Sequence, residues 1–322
     1  MVFRKQNLDE SCCVWWIPTL DSKTVIMKIL LTGKDGQVGF ALYEKIAPFA
    51  EVIATNKNEL NLENSDSIRT FVEKVKPDMI INAAAYTDVD RAESEKLLAH
   101  QINAIAPKVL AEKASELNIP MIHFSTDYVF DGLKSEPYVE SDQVNPQSVY
   151  GVTKWKGEEG VRNHKKHIIL RTSWVFSSHG KNFLKTILKL IQEKTSLNVV
   201  NDQQGTPTSA DAITDVTYKI IKTILKNPNF KDFGTYHVAL EGGTNWYQYA
   251  CFINEEALRL GLKTTMTSQD IKSISSDEYP TIAKRPMHSR LDTTKIKKTF
   301  MLELSDWEAE VASILKLALI NT

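Results

Sequence analysis

Tyr150 and Lys154 are the residues whose types and spacing point most directly to chemistry. They stand four apart in Tyr150-Gly151-Val152-Thr153-Lys154, which places them one turn apart on the same face of a helix. An ammonium beside a phenol stabilises the phenolate. The pair therefore predicts a Tyr150 pKa below the ordinary ~10 and a proton donor usable near neutral pH. The chain contains ten tyrosines, and Tyr218 with Lys222 repeats the spacing. What precedes each tyrosine separates them. Ser125-Thr126-Asp127 closes an apolar run upstream of Tyr150, so a hydroxyl and a phenol converge on one edge of a sheet. There Thr126 donates to a carbonyl that Tyr150 protonates. Tyr218 instead falls among Ile213, Val216, Ile220 and Ile224, the spacing of a packed helix face, and is assigned to packing.

A glycine turn supplies the second chemical signal. Gly33-Lys34-Asp35-Gly36-Gln37-Val38-Gly39 follows the first apolar run and opens a helix. Glycines let backbone N–H groups approach a pyrophosphate, whose charge the helix N-terminus favours. The spacing is G-x-x-G-x-x-G rather than G-x-G-x-x-G, and strand–turn–helix context argues for a dinucleotide over a bare turn. The second strand runs into Thr55-Asn56-Lys57. An acid at that point would take ribose hydroxyls and favour NAD. Asn56 does not repel a 2′-phosphate, and Lys34 and Lys57 either pair with one or are solvated surface charges. The reading leans to NADPH and leaves NADH open. Small residues after the third strand, Ala83 to Ala85, fit close approach of a cofactor or tight helix packing.

The elements needed to position these groups alternate. Strands are expected at 28–32, 51–55, 79–82, 119–124 and 168–171, with helices at 40–48, 65–75, 95–117 and 150–163 between or after them. That order predicts an α/β fold: a Rossmann-like doubly wound parallel sheet covered by helices on both sides. Beyond residue 175 the rhythm loosens. Helices are expected at 182–193, 211–225, 246–260 and 306–317, with short strands at 197–200 and 236–239. The expected division is a dinucleotide-binding domain over 27–175 and a smaller C-terminal α/β substrate-binding region over 176–322. Parts of 200–240 return to the first half.

Composition excludes several classes. Net charge is −1, so no basic field argues for nucleic acid. No apolar run approaches the roughly 18 residues of a membrane span. Cys12, Cys13 and Cys251 form neither a disulfide framework nor a metal spacing, which fits the cytoplasm. Residues 1–26 stand apart, with a short apolar patch at Cys13 to Ile17 that lacks the length and cleavage site of an export signal. They are expected to be a weakly ordered extension, or an upstream misreading of a start at Met27.

The glycine turn, Thr126, Tyr150 and Lys154 together resemble the extended short-chain dehydrogenase/reductases. Ordered motifs carry the resemblance: GKDGQVG at 33–39, NAAAYTDVD at 82–90, STDYVFDG at 125–132, YGVTK at 150–154, RTSWVF at 171–176, NDQQGTPT at 201–208, RPMHSRLD at 285–292 and LSDW at 304–307. It extends from Met27 to the C-terminus. The resemblance implies that Tyr150 is the proton donor and that Lys154 holds the nicotinamide ribose and tunes Tyr150. It implies that Thr126 polarises the ketone, with Asp127 beside it, and that Trp174 packs on the sugar. Gly36, Gln37, Val38, Asn56, Asn61, Leu62, Ala85, Tyr86, Thr87 and Phe124 would contact the dinucleotide. The implied reaction is reduction of C4 of dTDP-4-dehydro-β-L-rhamnose to dTDP-L-rhamnose.

Departures from the family pattern bear on these roles. Asn56 and Asn61 stand where many members have aspartates, which weakens a strong NADH preference. His288 replaces the usual asparagine of R-P-x-N-S. Ala41 stands where some members carry a glutamate used in metal-linked dimers, so a homodimer is implied without its metal bridge, no metal ligand is assigned, and metal dependence is left open. Two other readings follow from the same resemblance. One is a non-catalytic dinucleotide-binding subunit like the regulatory subunit of methionine adenosyltransferase. The other is a nucleotide-sugar epimerase or dehydratase, although Asp127 and Tyr128 do not supply a dehydratase's paired acids.

Overall fold

The computed structural model describes residues 27–320. The expected N-terminal extension, with Cys12 and Cys13, lies outside the described residues. In the first half, β1 (Lys28–Thr32), α1 (Gln37–Ile46), β2 (Glu51–Thr55), α2 (Ser65–Val75) and β3 (Met79–Asn82) alternate. They are followed by α3 (Val89–Ala92), α4 (Lys96–His100), α5 (Ala106–Glu116), β4 (Met121–Thr126), α6 (Val149–Arg162) and β5 (His167–Thr172). The second half holds β6 (Val175–Phe176), α7 (Phe183–Glu193), β7 (Leu197–Val200), β8 (Gln204–Gly205), β9 (Thr208–Ser209) and α8 (Ala210–Lys226). It continues with β10 (Gly234–His237), β11 (Thr244–Asn245), α9 (Trp246–Arg259), β12 (Ile271–Ile274), α10 (Thr294–Phe300) and α11 (Trp307–Ile320).

Six strands form one parallel sheet in the order β10-β5-β4-β3-β1-β2. The central strands β1, β3, β4 and β5 are buried almost throughout, as strands covered on both faces are, while the edge strands β2 and β10 are only partly buried. Ile29, Leu31, Ile81 and Ile122 face one core, with Ile213, Ile220 and Phe300 of α8 and α10. Leu30, Ile80, Met121 and Ile169 face the other, with Ile68 and Val72 of α2 and Leu110 of α5. A separate cluster of Leu184, Ile187, Tyr249, Ile253, Trp307 and Val311 joins α7, α9 and α11. The order of strand addition reverses at β1, with β2 on one side and β3 on the other, and ligands of open α/β sheets bind at such a switch point. Among the described residues no helix is long and apolar enough to cross a membrane.

Three local differences from the expected elements have physical causes. Helix α1 begins at Gln37, not near 40, because Gly36 is its N-cap and Gly39 lies in its first turn. Strand β4 runs to Thr126, so the site hydroxyl belongs to the strand itself. The expected unbroken helix over 95–117 contains a π-helical stretch, Gln101–Ile105, between α4 and α5. Helix α6 crosses there so tightly that a Cβ on Gly157 would stand 2.1 Å from the Asn103 carbonyl oxygen. The π turn lets the Asn103 side chain accept from the Tyr86 N–H at 2.8 Å and donate to the Tyr86 carbonyl at 3.0 Å and Thr153 Oγ1 at 3.2 Å. The strand-end segment after β3 is thereby tied to the helix that carries Tyr150.

Candidate active site

The glycine turn bridges the ends of β1, β2 and β3. Gly33 has φ +79°, and its N–H donates to the Thr55 carbonyl at 2.8 Å. A Cβ there would lie 2.7 Å from Ala84 Cα, and one on Gly39 would lie 2.0 Å from the Gly33 carbonyl oxygen. Gly36 caps α1 without any side-chain hydrogen bond, which leaves the helix's first N–H groups for an anion. A cradle that side chains would fill, at the positive end of a helix, fits a dinucleotide pyrophosphate.

A cavity of about 830 Å³ extends from this turn along the C-terminal edge of the sheet. Gly33, Gly36, Gln37, Val38, Asn56, Asn61, Leu62, Ala85, Thr87, Phe124, Thr126, Asp127, Tyr150 and Trp174 all line it. Gly39, Tyr86 and Lys154 do not. Gly39 serves from behind the turn through its missing Cβ. Tyr86 is directed away from the cavity, its hydroxyl donating to Glu95 Oε2 at 2.8 Å. Lys154 is buried beneath the floor, where Nζ donates to the Phe124 carbonyl at 2.6 Å. Asn56 and Asn61 spend their side-chain oxygens on their own turns, accepting from the N–H groups of Asn58 and Glu63 at 3.1 and 3.0 Å. The two lysines for which a 2′-phosphate or plain solvation was left open are in ion pairs, Lys34 with Glu59 at 2.6 Å and Lys57 with Glu63 at 2.7 Å. His288 does not line the cavity; its backbone N–H donates to the Gly132 carbonyl at 3.1 Å.

At the floor, β4 and the first turn of α6 bring Thr126, Asp127 and Tyr150 together. Ser148 caps α6 by accepting from the Gly151 N–H, which starts the helix where Tyr150 faces the strand end. A Cβ on Gly151 would lie 2.3 Å from the Tyr128 carbonyl oxygen, so a glycine permits the close approach. Burial pushes the Tyr150 phenol up to about 12, partly offset by its hydrogen bond with Thr126 and reinforced by the Asp127 charge. The expected lowering by Lys154 is thus corrected: the ammonium is directed at the Phe124 carbonyl, and desolvation dominates at the phenol. Burial also lowers Lys154 to about 8, against the pull of the Glu158 carboxylate one turn further on.

Asp127 is the third buried ionisable group here. Thr126 Oγ1 donates to its Oδ1 at 2.9 Å, and burial raises the carboxyl from 3.8 to about 6. Its Oδ2 is buried with no donor satisfying it; the nearby Ser289 hydroxyl donates to the Gln204 carbonyl at 3.3 Å. A folded-state pKa above the unfolded value means that the native protein binds the extra proton. Stability from this group is therefore full near pH 4 and is lost as pH rises through about 6. The loss is on the order of 3 kcal/mol. Urea unfolding across pH 4 to 7 should show Asp127→Asn gaining that much relative to the parent chain over about this interval. A difference independent of pH would contradict the assignment.

An aromatic wall closes the far side. Trp174 takes φ +47°, a strained conformation for a bulky side chain, and stacks on Trp246 with centroids 3.5 Å apart and planes 8° from parallel. A Cβ on Gly205 would lie 2.4 Å from the Trp174 indole, so β8 must pass as backbone alone. Gln37 fastens the segment after β6 over the glycine turn, with Oε1 accepting from Ser177 Oγ at 3.1 Å and Asn182 Nδ2 at 2.9 Å. Trp246, Gly205 and this fastening had no signal in residue spacing, because their partners are distant in sequence. Arg285, another cavity residue, lies within RPMHSRLD and is held by Asp90 at 2.7 Å. Among the described residues no group of three or more His, Cys, Asp or Glu side chains is placed to hold a metal ion.

Solved structures sharing this architecture are extended short-chain dehydrogenase/reductases, and that is the class of this chain. Within it, the pattern of the RmlD substrate binding domain matches residues 27–320, and the chain belongs to that family. It is 40% identical to the dTDP-4-dehydrorhamnose reductase of Escherichia coli (strain K12), over 90% of this chain and 97% of that protein. The crystal structure of the Clostridium acetobutylicum dTDP-4-dehydrorhamnose reductase is 35% identical, with a TM-score of 0.82 over 92% of this chain and 100% of that one. The Bacillus anthracis dTDP-4-dehydrorhamnose reductase, solved in complex with NADP, is 31% identical, with a TM-score of 0.83 and the same coverage.

Proposed function

We propose that this protein reduces the C4 ketone of dTDP-4-dehydro-β-L-rhamnose to dTDP-L-rhamnose, a precursor of cell-surface polysaccharide, using NADPH. The observation that carries the reading is Thr126 and Tyr150 brought together on the floor of a crevice bounded by the glycine turn and Trp174. Family membership and the NADP-bound relative support the substrate class and the cofactor.

Gly33, Gly36 and the α1 N-terminus would hold the pyrophosphate, with Ala85, Thr87 and Phe124 along the rest of the dinucleotide. The bound dinucleotide supplies the hydride. Trp174 packs on the sugar and excludes water from its face. Thr126 turns its proton from Asp127 to the ketone oxygen and polarises it. Tyr150 is protonated throughout the neutral range because its pKa is near 12, so it can deliver a proton as the oxygen gains charge. The paired hydroxyls favour an enzyme over a non-catalytic subunit. With this reading go a cytoplasmic location and a homodimer, both parts of the proposal. Purified protein should oxidise NADPH only when the dTDP-linked 4-keto sugar is added. Absence of sugar-dependent turnover with either NADPH or NADH would overturn the reading.

A further inference from the structure

The C-terminal end of β2 receives a carboxylate that its own residues do not provide. In a doubly wound sheet the adenosine ribose lies at this strand end, and an acid there accepts its hydroxyls. Asn56 stands at the end and is not an acid. The chain then folds back: the Glu59 and Leu60 N–H groups donate to the Asn56 carbonyl at 3.2 and 2.9 Å, and the buried Leu60 anchors the turn against the cavity. This return brings Glu59 to the strand end, where Oε2 accepts from the Asn56 N–H at 2.9 Å. Its Oε1 accepts from Lys34 Nζ at 2.6 Å. Lys34 belongs to the glycine turn, and its N–H is fixed to the Thr55 carbonyl at 3.1 Å. Neither side chain lines the cavity itself, but both residues are tethered to the backbone of Thr55 and Asn56, which do.

We propose that Glu59 and Lys34 form the element that reads the adenosine ribose, an exchangeable pair that admits NADH and NADPH in different states. The inference rests on the dinucleotide site of the proposed function and deepens it. With a free 2′-hydroxyl, Glu59 stays on Lys34 and Asn56 and accepts the ribose hydroxyls. With a 2′-phosphate, like charge expels the carboxylate, and Lys34 exchanges it for the phosphate. The Lys34 ammonium and the Asn56 N–H hold the Glu59 carboxyl below its usual range, so the charge that opposes the phosphate is present at neutral pH. The pair therefore tempers NADPH binding while the lysine favours it, and removing either partner tips the balance in opposite directions.

Dissociation constants for NADPH and NADH, measured by calorimetric titration without any sugar, test this. Glu59→Gln should raise the ratio of the NADH to the NADPH constant by about tenfold or more, since a like charge beside a phosphate is costly. Lys34→Met should lower that ratio by a similar factor. Equal changes in both constants, or no change in the ratio for either variant, would overturn the proposal. Lys34→Met gives an independent answer should Glu59→Gln fail to fold. Because no sugar is present, failure here is distinct from failure of the reductase reading, which shows only as missing sugar-dependent turnover.

Discussion

Tyr150→Phe is expected to lower sugar-dependent turnover by about 10²- to 10⁴-fold, the range that a positioned general acid contributes. Dinucleotide binding should persist, because the ring still fills its place beside Tyr128, whose centroid is 5.4 Å away in an edge-on contact. The Tyr150 phenol lines the cavity floor, keeps its proton well above neutral pH and meets the Thr126 hydroxyl. Tyr218→Phe is the comparison. That tyrosine lies outside the cavity, on the far face of α8, where its ring meets Phe49 at 5.4 Å and carries the Lys222 ammonium 4.8 Å from its centroid. Its loss should leave turnover nearly intact. Similar losses in the two variants would undo the assignment of the proton donor.

Glu158→Gln should destabilise the protein by about 3–5 kcal/mol, the cost of leaving a buried charge without its partner. Glu158 is fully buried and accepts from Ser125 Oγ at 2.6 Å, Arg171 Nε at 2.8 Å, Arg171 Nη2 at 2.7 Å and Arg162 Nη2 at 2.8 Å. Arg171 is itself buried and already has an Nη1 without a hydrogen-bond partner. The carboxylate ties α6, which carries Tyr150 and Lys154, to the ends of β4 and β5. Urea unfolding at neutral pH measures the effect. A loss below about 1 kcal/mol would mean that the arginines regain partners elsewhere and that the network is not what fixes the helix to the sheet.

The parts of this structure that were legible in the sequence are those written in contiguous residues. The apolar runs of β1, β2 and β3 ended where expected, because each is a short apolar run closed by a polar turn. Tyr150 was separable from Tyr218 by what preceded it. The π turn at Gln101–Ile105 was not legible, since the helix packed against it at Gly157 comes from elsewhere in the chain. The direction of the Tyr150 pKa was misread because spacing gives a neighbour's identity but not burial, and burial dominates here. For Lys34 and Lys57 the sequence leaves open a phosphate partner or plain solvated charge, and neither describes the ion pairs they form. Their carboxylate partners lie 25 and 6 residues onward, in turns whose return path the sequence does not specify. The Trp246 face behind Trp174 was invisible for the same reason: the two indoles meet only once the second half of the chain packs back.

The most direct test of the central claim is the fate of isotope in the product. Reduction of the dTDP-linked 4-keto sugar with NADPH deuterated at the transferring position should give dTDP-L-rhamnose carrying deuterium at C4 alone, as read by NMR. Deuterium elsewhere on the sugar, or a product formed without it, would contradict ketone reduction at this site.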